Sequence, residues 1–131
     1  MNREWELVRN FMAHTYQPVA ECPEMLKSSR SNLRAKWMIE EILEFTKAES
    51  VYEQADAIMD LIYFSLGTLV EMGVPPQPLF DVIHDANMRK RLHNGSIVVV
   101  DNKVAKPPEW RHPWEEIKEI IDARKSCTSK E

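Results

Sequence analysis

Trp37-Met38-Ile39-Glu40-Glu41-Ile42-Leu43-Glu44 and Glu53-Gln54-Ala55-Asp56-Ala57-Ile58-Met59-Asp60, joined by the polar stretch Lys47 to Ser50, decide how this chain folds. Both read as helix, and a helix turns about 100° per residue. Glu40, Glu41 and Glu44 then fall within about a 100° arc, and Glu53, Asp56 and Asp60 within about a 60° arc. Each helix carries a carboxylate stripe. From Ala57 to Val70 the only charged residue is Asp60. A helix apolar on nearly all sides is normally buried, and a buried carboxylate is expensive unless paired or bound to a metal. Asp60, with Asp56, is therefore expected to point into an interior site. The short connection lets the two helices pack antiparallel with their stripes facing. Two plainer readings compete. The first cluster, followed by Lys47, also fits a solvated face with a helix ion pair. Asp60 also fits a salt bridge to Arg34, Lys36 or Arg89.

Working outward, 131 residues with 44% hydrophobic content fit one domain over residues 1–131, small enough for its helices to pair across a homodimer. A net charge of −4 argues against a general nucleic-acid partner. Cys22 and Cys127 are far apart and lie in no metal-binding spacing, so no disulfide framework is expected and a reducing cytoplasm is the default. The N-terminus lacks the apolar run of a signal peptide. No stretch approaches the roughly 20 apolar residues of a membrane span, so no membrane partner is expected.

The remaining elements follow from periodicity and breakers. Trp5, Val8, Phe11 and Met12 give a helix over residues 3–14, with its apolar residues in the core. Pro18 and Pro23 make residues 15–30 a loop, with at most a helical turn near residues 24–27. Ser31 or Asn32 is the expected N-cap of the second helix, which runs to about Glu49. The third spans about residues 51–72, stopped by Gly73, Pro75 and Pro76. The fourth spans about residues 77–92 and ends at His93-Asn94-Gly95. Ser96 to Val100, then Asp101-Asn102, suit a small hairpin or extended arm. Residues 114–124 form a last helix before a polar tail.

Facing carboxylates suit Mg²⁺, or Mn²⁺, which prefer oxygen ligands. Crowded carboxylates repel until a cation neutralises them. A Mg²⁺ ion held this way shares oxygens with a substrate phosphate. A second set fits the phosphate itself: Asn87 and Lys90 near the end of the fourth helix, and Lys103 and Lys106 on the arm. Cations at a helix C-terminus also have a structural use, since they complement the macrodipole.

These residues together resemble the MazG-like all-α nucleoside triphosphate pyrophosphohydrolases, and most closely their phosphoribosyl-ATP pyrophosphohydrolase-like branch. The resemblance is carried by Glu41-x-x-Glu44, Ala55-Asp56-Ala57-x-x-Asp60-Leu61-x-Tyr63, Phe80-Asp81-x-Ile83-His84-x-x-Asn87-Met88-x-Lys90 and Asn102-Lys103-Val104-x-Lys106-Pro107. It implies an all-α fold, a four-helix bundle core with a short β-arm and a C-terminal helix, with helices packing across a homodimer or dimer of dimers. It implies Mg²⁺-dependent cleavage of a nucleoside triphosphate between the α and β phosphates, by attack of a metal-bound water on the α-phosphorus. By the same resemblance Glu41 and Glu44 look like metal ligands, one of them orienting or deprotonating the water. Asp60 looks like a ligand from the next helix, and Glu40 like an outer partner or further ligand. Asn87 and Lys90 look like phosphate contacts, with Lys103 and Lys106 closing over the substrate; Trp37 or Tyr63 could meet the base. The chain departs from the family at one point. Its second acidic motif is usually Glu-x-x-Asp, and Ala57 stands where the glutamate is expected, so Asp56 or Glu53 substitutes. Three alternatives stay open: a histidine-pathway enzyme, a non-catalytic helical dimer, and a di-iron bundle. The last needs Glu-x-x-His pairs, and the chain offers only Asp81-x-x-His84.

Overall fold

The structure is a computed structural model that describes residues 1–92 and 94–126. It is mostly helical: α1 (Asn2–His14), α2 (Ser28–Lys47), α3 (Val51–Glu71), α4 (Pro76–Met88) and α5 (Trp114–Lys125). Between α4 and α5 lies a two-stranded antiparallel hairpin, β1 (Val99–Val100) and β2 (Lys103–Val104). Its turn residues Asp101 and Asn102 both have positive φ, 50° and 60°. That is the twist a two-residue hairpin needs, and Asp and Asn tolerate it best after Gly.

The ends of α3 are set locally. Ser50 caps its start, with Glu53 N donating to Ser50 Oγ at 3.2 Å. Glu53 reaches back, its Oε2 accepting from Glu49 N at 2.7 Å, in the manner of a capping box. At the other end Gly73 takes φ +68°, and a Cβ there would lie 2.5 Å from the Cys22 carbonyl oxygen. Pro76 then opens α4, whose axis turns 116° from that of α3.

α3 is the central helix, and α2 and α1 both pack against it, with Arg34 and Met12 meeting over Gly67. Trp5, Val8 and Met12 from α1 pack on Leu66 and Val70 from α3, with Val19 and Leu69 beside them. Fully burying such a side chain is worth about 1.5–3 kcal/mol. α2 and α3 pack antiparallel, as the short connection requires. Trp37 packs against Phe64 at a tilt of 34° with ring centroids 5.8 Å apart, and Met38 Sδ lies 3.5 Å from Ser65 Oγ. A turn further along, the buried Glu71 is held by two guanidinium groups. Arg30 donates to it at 2.8 and 3.1 Å, and Arg34 donates through Nε. Gly67 leaves room for Arg34, whose Nη1 is 3.0 Å from where a Cβ would stand.

Several boundaries differ from expectation. α2 begins at Ser28 and has no side-chain cap, so Ser31 and Asn32 lie inside it. Residues 24–27 are not helical; Ala20 N and Glu24 N instead donate to Val70 O and Met72 O, lacing the loop across the end of α3. α4 stops at Met88, and Lys90 N donates to Asn87 O in a turn. His93 and the tail residues 127–131 lie outside the described residues. The expectation that Cys22 and Cys127 form no disulfide framework falls on Cys127, which lies outside the described residues. Among the described residues no single helix is long and apolar enough to cross a membrane.

The expectation that α3 is buried all round needs correction. Its buried residues are Ala57, Leu66, Gly67, Val70 and Glu71. Met59 is 60% exposed and Tyr52 83%, with Ile58, Ile62 and Tyr63 also open. Among the described residues no other element covers these faces.

Candidate functional site

The α2–α3 ladder that sets Arg34 on Glu71 and Trp37 on Phe64 brings Glu41 toward Asp60 one turn further on. Burial first, then the charges of Glu44 and Asp60, a side-chain hydrogen bond with Glu44 and the charge of Asp56, push the Glu41 carboxyl above its usual range. Glu41 Oε2 is buried and accepts no hydrogen bond. A carboxylate oxygen in that state is costly unless a proton or a cation reaches it. Beside it, a cleft of about 310 Å³ is lined by Glu44, Lys47, Ala48, Glu49, Glu53 and Asp56.

Asp60 is exposed in the single chain, not buried as expected, because α2 covers only one flank of α3. The salt bridge to Arg34 does not form, since Arg34 is committed to Glu71. Among the described residues Asp60 has no ion pair with Lys36 or Arg89 either. Glu53 lines the cleft but is engaged as a helix cap. Glu40 is exposed on α2 and neither lines the cleft nor contributes to the Glu41 shift. The structure thus gathers Glu41, Glu44, Asp56 and Asp60 within electrostatic range. Among the described residues no three acidic or histidine side chains close onto one point at ligating distance. Like charges with no counter-ion between them are expected to stand apart. The donor set, all carboxylate oxygen with one orphaned acceptor, fits a hard divalent cation.

The cationic candidates lie elsewhere on the chain. Asn87 is exposed at the end of α4, and Lys103 is exposed on β2. Lys90 and Lys106 come together over one ring, their Nζ atoms 5.4 and 5.0 Å from the Trp110 centroid. Trp110 itself is fixed by donating from Nε1 to Ala86 O at 2.6 Å. Sequence reasoning missed Trp110; the available signal was a lone tryptophan after the double proline Pro107-Pro108. It also missed Glu71 as partner of Arg30 and Arg34. Trp37 is a packing residue, against Phe64 and beneath the guanidinium of Arg34 at 5.0 Å. Tyr63 meets Phe11 edge-on at 5.8 Å. Asp81 accepts from Gln77, and His84 stacks on Phe80, so that pair does not join the carboxylates of α2 and α3.

The family model described as phosphoribosyl-ATP pyrophosphohydrolase matches residues 8–87. A comparison with curated proteins found no match.

Proposed function

The chain belongs to the phosphoribosyl-ATP pyrophosphohydrolase family, and from that premise we propose that it hydrolyses the α–β phosphoric anhydride of a nucleotide, releasing a nucleoside monophosphate and pyrophosphate with the help of Mg²⁺. The observation that carries the proposal is the raised carboxyl of Glu41, its buried Oε2 without a hydrogen-bond partner, among Glu44, Asp56 and Asp60. Glu41 and Glu44 on α2, with Asp60 and Asp56 on α3, would hold the ion. Asp56 is favoured over Glu53, which already caps α3. The ion supplies positive charge against the phosphate oxygens and a more acidic water.

The chain's own residues do the rest. Glu41 or Glu44 orients the attacking water and accepts its proton as the new P–O bond forms at the α-phosphorus. The bond from that phosphorus to the bridging oxygen breaks, and the electron pair leaves with pyrophosphate. Lys90, with Asn87, Lys103 and Lys106 as further candidates, offsets the charge on that leaving group.

A second copy of the chain belongs to the same proposal. Ile58, Met59, Ile62 and Tyr63 surround Asp60 and stand open in one chain. A homodimer, alone or paired into a tetramer, would cover them and shut the carboxylates away from water. Sedimentation at two protein concentrations tests the assembly.

The reaction is tested by following pyrophosphate release from a panel of NTPs, dNTPs and phosphoribosyl-ATP with Mg²⁺. Release from any of these that stops in EDTA supports the proposal; no release from the whole panel refutes it. The family match favours phosphoribosyl-ATP as one substrate, and the panel separates it from a nucleoside triphosphate.

A further inference from the structure

The largest groove described lies away from the carboxylates, with a volume of about 660 Å³. It is framed by the turn after α4 and the segment leading into α5. Arg89, Arg91 and Arg111 line it, together with Pro107, Pro108 and Trp110. It shares no lining residue with the acidic cleft, and every lining residue falls past the span matched by the family model.

Its chemistry is two-sided. Among the described residues the guanidinium groups of Arg89, Arg91 and Arg111 have no ion pair, hydrogen bond or ring contact. Lys90 and Lys106 lie over Trp110 but are not part of the lining and do not enter its charge balance. Two carboxylates, Glu109 and Glu116, also line the groove, so cations outnumber anions around it in a chain whose net charge is −4. Converging cations in a concave site repel each other and concentrate positive potential there. The guanidinium fork matches phosphate oxygens two at a time. Pro107, Pro108 and Trp110 supply the apolar part of the lining, and Trp110 is held by its hydrogen bond to Ala86 O of α4. The volume is that of a small-molecule site, which usually spans about 300–1,000 Å³.

We propose that this groove binds a small organic phosphate carrying a planar ring, of which a nucleoside monophosphate is the simplest case, at a site separate from the carboxylate cleft. The arginines take the phosphate and the proline–tryptophan wall takes the ring. This site goes beyond the hydrolytic reading and does not depend on it.

The test is calorimetric titration of the full chain with AMP in EDTA, which removes any contribution from a divalent ion at the carboxylates. Saturable binding is expected, weakened about tenfold or more in Arg89→Ala and in Arg111→Ala, the loss of one charge-assisted contact. Glu41→Gln is expected to bind AMP as the unaltered chain does. Inorganic phosphate and adenosine, each offering half of the ligand, are expected to bind more weakly than AMP. Circular dichroism checks that each variant is folded, and Arg111→Lys repeats the test with the charge retained should Arg111→Ala not fold. Absence of binding at millimolar AMP overturns the proposal. So does binding that survives both arginine substitutions, binding lost in Glu41→Gln, or inorganic phosphate binding as well as AMP.

Discussion

Replacing Glu71 by Gln should be the most damaging single change to the helix pair that carries the site. Glu71 and Arg34 are each only 3% exposed. Arg30, the second partner, has 30% of its side chain exposed. Removing the carboxylate leaves the Arg34 guanidinium buried without an opposite charge, at a cost of about 3–5 kcal/mol. The more exposed Arg30 contact adds no more than about 1 kcal/mol. For a domain of this size each kcal/mol moves the melting temperature by about 3–5 °C, so thermal denaturation followed by circular dichroism should show a fall of about 10–20 °C. Acid should act through the same group. Burial alone would raise the Glu71 carboxyl, but the hydrogen bonds and charges of Arg30 and Arg34 overcome it and hold it below its ordinary value of 4.5. A carboxyl depressed in the folded state contributes stability that is present above the unfolded value and lost as pH falls below it. The unaltered chain should therefore lose stability below about pH 4.5 more steeply than Glu71→Gln. A loss under about 1 kcal/mol, or identical acid dependence in the two proteins, would refute the reasoning.

Asp60→Asn should leave the melting temperature in EDTA nearly unchanged, because among the described residues Asp60 forms no ion pair, yet lower kcat/KM for pyrophosphate release by about 10²–10³. Glu41→Gln should raise stability in EDTA at neutral pH by about 0.5 kcal/mol, read by urea denaturation. The sign follows from a carboxyl held above its ordinary value, whose ionisation weakens the fold as pH rises through the folded-state value. Adding Mg²⁺ should reverse that order, stabilising the unaltered chain more than the variant. Gly73→Ala should lose about 2 kcal/mol or more, since φ +68° is strained for alanine and its Cβ would strike the Cys22 carbonyl; a melting curve reports it.

The helices that carry the site could be read from the sequence because their signals are local. Carboxylate spacing, the apolar run of α3, Gly73 with the following prolines, and Asp101-Asn102 each act within one or two turns of chain. The long-range partners were not legible. Glu71 lies 37 residues from Arg34 and looks like any acid ending an apolar helix. Trp110 reaches Ala86 across the hairpin, a contact with no local periodicity. The exposure of Asp60 went unforeseen for a related reason: composition reports how apolar α3 is, not how many of its faces one chain can cover. The α4 boundary slipped because Arg89 to Arg91 are good helix formers, whereas Lys90 N donates to Asn87 O and Leu92 N to Ser96 O in turns.

Mn²⁺ binding by electron paramagnetic resonance most directly tests whether carboxylates from α2 and α3 meet around a divalent ion. The unaltered chain should bind Mn²⁺ saturably and release it to excess Mg²⁺, with Glu41→Gln and Asp60→Asn each weakening binding about tenfold or more. Equal affinity in all three proteins would contradict the shared site.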